Sequence, residues 1–314
     1  MAGMLEIQGL TKRFGNRTVV DDVTFSADRG EVVGFLGPNG AGKTTTMRMV
    51  VGFLGPTAGS ATVCGHDVGS DPIAVKRSVG YLPEGAPLYD DMTPAAFLGF
   101  VAAVRGLRGE KRRAAIAGAV AQLQLDEVLE QPIGTLSKGF KRRVGLAQAI
   151  LHDPEVLILD EPTDGLDPNQ KHEVRSLITR MAREKVIVIS THLLEEVEAV
   201  CTRAIIIAHG RVVFDGTPDS LQARSERHNA VRIHIVAGAA ELCRAELSRI
   251  NGVARVEMLG ATDGIARLLA YPANGRTILE EVGATLRARG LNVEEISVER
   301  GRLDEVFRQI TARA

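Results

Sequence analysis

Eight residues, Gly37-Pro38-Asn39-Gly40-Ala41-Gly42-Lys43-Thr44, follow the spacing G-x-x-x-x-G-K-[ST]. These residue types at this spacing suit phosphate binding. The glycines let the backbone curl until successive N–H groups point at phosphate oxygens. Lys43 is then placed to reach the β- and γ-phosphates of a nucleotide, and the Thr44 hydroxyl to ligate magnesium. A glycine-rich turn can match such a pattern by chance, so its setting decides. Apolar Val32 to Leu36 precede it as a strand and an apolar helix pattern follows, which is the strand–loop–helix setting the chemistry requires.

A nucleotide site also needs a second magnesium ligand and a base for the attacking water. The stretch PEVLILDEPTDGLDP, 154–168, supplies both. Val156 to Leu159 reads as a buried strand, and Asp160 at its end can hold magnesium, directly or through water. Glu161 can orient and deprotonate water. Two acids after a strand can also simply open a loop; pairing with the phosphate loop weakens that reading. A lone histidine is most often structural or solvated. His192, however, follows the strand-like Val186 to Ser190 and falls at the same sheet edge, within reach of a γ-phosphate. A third stretch, TLSKGFKRRVGLAQAI (135–150), opens a helix with Lys141, Arg142 and Arg143 near its start. Helix starts favour acids. Either this start is a solvated surface with poor end electrostatics, or it meets something anionic.

Elements of a doubly wound sheet must position these groups, since ligands collect at the carboxyl ends of parallel strands. The runs VLIL, VIVI and AIIIA suit buried parallel strands and are far too short to span a bilayer. At 314 residues, 45% hydrophobic and 25% charged, the chain has ordinary globular usage and room for two domains. A net charge of −1 gives no basic field for nucleic acid, and none is expected as a partner. Cys64, Cys201 and Cys243 form no CxxC pair and suit a reduced, cytoplasmic chain. The start MAGMLEIQGL lacks the features of a signal peptide.

Over roughly residues 4–220 the chain resembles the ATP-binding subunit of an ABC transporter, with the motifs in the family's order. Gly37 to Thr45 is similar to the Walker A loop, so Pro38, Asn39, Ala41 and Thr45 join the implied ATP-binding residues. Val156 to Glu161 is similar to Walker B with its catalytic glutamate. Gly165-Leu166-Asp167 resembles the D-loop, and His192 the switch histidine. Phe14 occupies the place of the aromatic residue that stacks on adenine; by its own pattern it reads equally as a strand or core residue. LSKGF stands where the family carries LSGGQ. That resemblance turns the start of the basic helix towards the γ-phosphate held by a second copy, through Ser137, Lys138 and Gly139.

Two departures stand out. Lys138 replaces a glycine of the signature, and it either reaches the partner's nucleotide or points to solvent. Glu84 replaces the family's Q-loop glutamine, and either joins the magnesium site or serves the permease contact. Arg142 and Arg143 read as solvated helix surface. So do Arg105, Arg108, Lys111, Arg112 and Arg113, which could alternatively meet lipid headgroups. Thr93-Pro94 reads as an N-cap followed by proline at the first helical position. Phe97, Phe100, Val101 and Val104 then follow the spacing of an amphipathic face.

From about 225 the pattern changes. VRIHIV (231–236), AAELCRAELSRI (239–250), VARVEML (253–259), IARLLAYP (265–272), RTILEEVGATLRARG (276–290) and NVEEISV (292–298) read as βαββαβ, a ferredoxin-like α+β module, followed by a short helix. No catalytic constellation falls there. The ending, with LSKGF and LPE, resembles the type 2 exporter branch.

The expected fold is therefore α/β, a P-loop NTPase core with antiparallel β and helical subdomains. Residues 1–224 form the ATPase domain, with the helical subdomain at about 86–152, and 225–314 form the accessory domain. The resemblance implies ATP and Mg2+ as ligands, ATP hydrolysis and a nucleotide-sandwich homodimer. It also implies an integral-membrane permease as partner and a position on the inner face of the membrane. The rival reading is a soluble ABC ATPase acting on ribosomes or DNA; such proteins usually carry two cassettes or long insertions, and this chain has one phosphate loop.

Overall fold

A computed structural model describes residues 3–313. Contacts divide the chain into two compact units, one running to Pro218 and the other Asp219–Ala312. The division falls a few residues before the boundary expected at 224/225.

In the first unit the elements follow in this order: β1 (Leu5–Phe14), β2 (Arg17–Ala27), β3 (Val32–Leu36), α1 (Lys43–Val50), β4 (Ala58–Val63), β5 (His66–Asp67), α2 (Pro72–Ser78), β6 (Val79–Leu82), α3 (Pro94–Val104), α4 (Gly109–Leu123), α5 (Lys138–Ile150), β7 (Val156–Asp160), α6 (Pro168–Ala182), β8 (Val186–Thr191), α7 (Leu194–Val200), β9 (Arg203–Ala208) and β10 (Arg211–Gly216). Five of the strands form the parallel part of a six-stranded sheet of order β10-β9-β3-β8-β7-β6, with β10 antiparallel at the edge. Every residue of β3, β7 and β8 is buried, as expected for apolar runs covered on both faces. A second, antiparallel sheet, β2-β1-β4-β5, shares a core with it through Leu5, Ile7, Phe25, Phe35 and Met47. The rings of Phe25 and Phe35 lie 5.6 Å apart.

Helices α3, α4 and α5 form the helical region. Thr93 caps α3, its hydroxyl accepting from Ala96 N at 3.2 Å, with Pro94 in the first turn. The buried face of α3 is Pro94, Phe97, Leu98, Gly99 and Ala102. The expected face was rotated from this: Phe97 is buried, but Phe100 is 48% and Val104 69% exposed. PAAFLGFVAAV contains no charged residue to mark a solvent side, so apolar spacing alone could not fix the phase.

The second unit follows α8 (Pro218–Gln222) with β11 (Val231–Val236), α9 (Ala240–Leu247), β12 (Val253–Thr262), β13 (Ile265–Pro272), α10 (Leu279–Ala288), β14 (Val293–Val298) and α11 (Leu303–Arg313). Its antiparallel sheet has the order β12-β13-β11-β14, which is the ferredoxin-like arrangement. Alternate residues Val231, Ile233 and Ile235 of β11 pack with Cys243, Leu247, Val282 and Leu286 from α9 and α10. Strand alternation and helix periodicity thus meet in one core. The three cysteines are free. No helix among the described residues is long and apolar enough to cross a membrane.

Candidate functional site

The phosphate loop joins β3 to α1, and close packing requires glycine at two of its positions, 37 and 42. A Cβ on Gly37 would stand 2.4 Å from the Ile207 carbonyl oxygen. Gly42, which precedes α1, has φ +108°, and a Cβ there would lie 2.8 Å from the Val19 carbonyl oxygen. Lys43 is buried, at 7% exposure. Its ammonium donates to the carbonyls of Gly37 at 2.7 Å and Pro38 at 3.4 Å. Burial lowers its pKa, opposed by the negative charges of Glu161, Asp160 and Glu84.

Across the sheet, β7 delivers Asp160, which is 1% exposed, and the Thr44 hydroxyl donates to its Oδ2 at 3.0 Å. Two adjacent hard oxygen donors fit a magnesium ion that keeps further water and phosphate ligands. Glu161 follows with φ +51°, a left-handed conformation that is costly for a non-glycine residue. Its N–H donates to Ser190 O at 2.8 Å. Its carboxylate meets His192 Nδ1 at 2.9 Å through Oε1, and the Thr191 hydroxyl donates to Oε2 at 3.4 Å. The strand ends β3, β7 and β8 thereby gather a cation, two carboxylates and an imidazole.

These groups line one cleft of about 360 Å³, together with Asn39, Gly40, Gly42, Thr45 and Glu84. Glu84 is exposed at its rim. Val19 and Asp164 also line it and were not anticipated; Asp164 could have been suspected from its place three residues after Glu161, whereas Val19 carries no polar signal. Pro38 is exposed and Ala41 buried within the same loop. Phe14 is not among the lining residues. It ends β1, is 50% exposed, and has the Lys12 ammonium 5.3 Å from its ring centre, so it is not a core residue.

The signature stretch lies at the start of α5. Ser137 is the N-cap, its hydroxyl accepting from Phe140 N at 3.3 Å. Lys138 is exposed, and its Cδ lies 3.7 Å from where a Cβ on Gly165 would stand. Gly139 is buried against Gln170, whose Oε1 would be 2.4 Å from a Cβ there. Asp167 is exposed and caps α6, accepting from Gln170 N at 2.9 Å. None of these four residues lines the cleft of its own chain.

The basic residues near the start of α5 differ from expectation. Arg142 and Arg143 are not solvated: they are 7% and 9% exposed. Arg143 pairs with Glu173 at 2.6 Å, and its guanidinium lies 5.6 Å from the Phe140 ring. Arg142 donates to the backbone carbonyls of Pro83, Asp160, Glu161 and Pro162. Packing against neighbouring carbonyls and one acid, rather than helix-end electrostatics, accommodates the charge. Arg105 and Arg112 are likewise half-buried. Arg105 donates to the carbonyls of Lys76 and Val79, and Arg112 to Gly99 O at 2.9 Å. Arg108, Lys111 and Arg113 are exposed.

A family model described as "ABC transporter" matches residues 20–164. The chain is 34% identical to the Nod factor export ATP-binding protein I of Rhizobium sp. (strain N33) over 311 residues, 98% of this chain and 97% of that protein. It is 30% identical to the linearmycin resistance ATP-binding protein LnrL of Bacillus subtilis (strain 168), covering 99% of each chain. A solved structure titled as the ATP binding subunit of an ABC transporter superposes with a TM-score of 0.65 at 32% identity, covering 70% of this chain and 92% of the other.

Proposed function

The chain belongs to the ABC transporter family of ATP-binding subunits, and from that membership we propose that it powers an exporter by hydrolysing ATP on a separately encoded integral-membrane permease. The family binds and hydrolyses ATP. The exporter assignment rests on the type 2 resemblance and on relatives named for export and for drug resistance.

One observation carries the reading. Lys43, Thr44, Asp160, Glu161 and His192 converge on one cleft, with the Glu161 carboxylate held by His192 at 2.9 Å. Lys43 is the cation for the β- and γ-phosphates. Glu161 orients the attacking water and takes its proton, and His192 fixes the carboxylate that does so. Magnesium, when bound, neutralises phosphate charge; Thr44 and Asp160 would hold it, with Glu84 at the rim.

Two copies then sandwich two nucleotides, each site completed by Ser137, Lys138 and Gly139 of the other copy, with Asp167 at the junction. An anion at the Ser137-capped start of α5 suits that role. Closure of the dimer and its reopening after hydrolysis drive the permease between inward- and outward-facing states, from the inner face of the cell membrane. Exposed apolar side chains support a protein partner: Tyr89, Phe100 and Val104 near and on α3, and Phe53 and Ile73 near and on α2.

Glu161→Gln tests the reading. The amide cannot accept the water's proton, so turnover falls by about 100-fold or more while MgATP binding persists. ATP then traps a dimer visible by size-exclusion chromatography. Steady-state hydrolysis at the wild-type rate in this variant would sink the mechanism.

A further inference from the structure

Arg142 departs from helix α5 and reaches two separate segments of the site. Its Nη1 donates to Pro83 O at 3.2 Å, one residue before Glu84. Its Nη2 donates to the carbonyls of Asp160 and Glu161, and its Nε to Pro162 O at 3.3 Å. The side chain is buried. A guanidinium offers five N–H groups in a fixed plane, enough to bind carbonyls on both segments at once. An ammonium offers one nitrogen, which cannot span them.

The segment so held has reason to move. Glu161 sits at φ +51°, in a left-handed region that is costly for a non-glycine residue. Such a conformation persists only where its surroundings over-determine it. Besides Arg142, the Glu161 backbone is held by its own N–H on Ser190 O and by Asp164 N on its carbonyl, at 2.8 and 3.2 Å.

We propose that Arg142 is a positioning residue for the general base: it locks the backbone from Asp160 to Pro162 and ties it, through Pro83, to the segment carrying Glu84. It touches no substrate. It acts by holding the Glu161 carboxylate where His192 and the attacking water meet it, and it couples the start of the signature helix to that carboxylate. Asp164, Asp160, Glu161 and Glu84 surround the guanidinium and oppose the lowering of its pKa by burial, so the charge that strengthens these hydrogen bonds is retained. The proposal rests on the reading of Glu161 as base.

The test uses the full chain with Arg142→Met, Arg142→Gln and Arg142→Lys, measured for kcat and KM with MgATP, for equilibrium affinity with a fluorescent ATP analogue, and for fold by circular dichroism. The expected result for Arg142→Met is a kcat lower by about 10–100-fold, the cost of a slightly misplaced catalytic group, with KM and analogue affinity within about threefold of wild type. Arg142→Gln should recover part of the loss, since its amide still donates to a carbonyl. Arg142→Lys should recover little despite keeping the charge.

A kcat near wild type in Arg142→Met overturns the proposal, as does a loss of analogue affinity that accounts for the lost rate. Full activity in Arg142→Lys also overturns it, because charge alone would then suffice. If Arg142→Met does not fold, the glutamine and lysine variants decide by the same criteria. If none of the three folds, Arg142 is a folding residue and the proposal fails. Glu161→Gln, assayed alongside, separates two failures. If Glu161→Gln is inactive while the Arg142 variants turn over normally, this inference alone is wrong; if Glu161→Gln still turns over, the base was misassigned.

Discussion

Lys43 and Arg142 are two buried cations that both feel the negative charges of Asp160 and Glu161, and the fold treats them differently. The Lys43 ammonium lies in the cleft, where two loop carbonyls at 2.7 and 3.4 Å are its hydrogen-bond acceptors. Burial pushes the pKa of both cations down. The Arg142 guanidinium lies behind the cleft wall and meets four backbone carbonyls. A buried charge is costly until paired and hydrogen-bonded. Lys43 therefore gains from an incoming anion, whereas Arg142 is already satisfied by its own chain. Acceptors and access to the cleft, more than charge or burial, separate a cation that binds from one that builds.

The largest expected effect follows from Lys43. Lys43→Ala should weaken MgATP binding by about 100-fold or more, as expected when one partner of a buried charge pair is removed. Arg142→Lys should leave that affinity nearly unchanged. Isothermal titration of both variants with ATP checks the contrast. Equal losses of affinity would erase the distinction drawn between the two cations.

The same contrast explains what could be read from the residues. The phosphate loop is contiguous, so its spacing alone carries its geometry. Asp160, Glu161 and His192 follow apolar strands, and parallel strands bring their ends together. The βαββαβ order of the second unit was legible because strand alternation and helix periodicity are both local. Arg142 was not legible: its partners lie 18 to 59 residues away. Nothing in KGFKRRV distinguishes an arginine folded onto carbonyls from one in water. The phase of α3 was lost for a related reason, since a helix without charged residues carries no marker of its outer face. Val19 entered the cleft through the return of β2 past the phosphate loop, which no local pattern encodes.

A middle-sized effect concerns a third cation, on the same helix as Arg142. Lys138 is exposed where Arg142 is buried, and it lies over Gly165 rather than in its own chain's cleft. If it adds a charge-assisted contact to the partner copy's nucleotide, Lys138→Ala should lower turnover by about 3–10-fold. ATP-driven dimerisation should fall with it, and ATP binding by the monomer should stay intact. Mixing Lys138→Ala with Lys43→Ala subunits should regain part of the activity, because one composite site of the heterodimer then carries neither lesion. Weaker nucleotide binding by the Lys138→Ala monomer would place this lysine with Lys43 instead.

The smallest effect at neutral pH belongs to a buried base lacking the support that Lys43 and Arg142 have. His152 is half-buried after α5, with Nε2 3.1 Å from Val79 O. Its Nδ1 is buried without a hydrogen-bond partner. Burial, reinforced by the charge of Arg105, pushes its pKa from 6.5 down to about 4. The imidazole is therefore neutral at physiological pH, with the Nε2 proton donated to Val79 O. The folded-state pKa is depressed, so the unfolded chain binds the extra proton first. Stability is fully present above about 6.5 and is lost as pH falls towards 4. Between pH 7 and 5 the loss from this one group is roughly 1–2 kcal/mol, after discounting for its partial exposure. His152→Gln keeps a donor for Val79 O and cannot titrate. It should match the wild type closely at pH 7.5 and become the more stable protein near pH 5, by a few degrees in thermal midpoint. Urea or thermal unfolding of both proteins across that range measures the difference directly. Two curves that stay parallel down to pH 5 would mean that His152 takes up its proton in the folded state as readily as in the unfolded chain. A single carbonyl acceptor would then suffice to keep a buried cation here, and the contrast between Lys43 and Arg142 could no longer rest on counting acceptors.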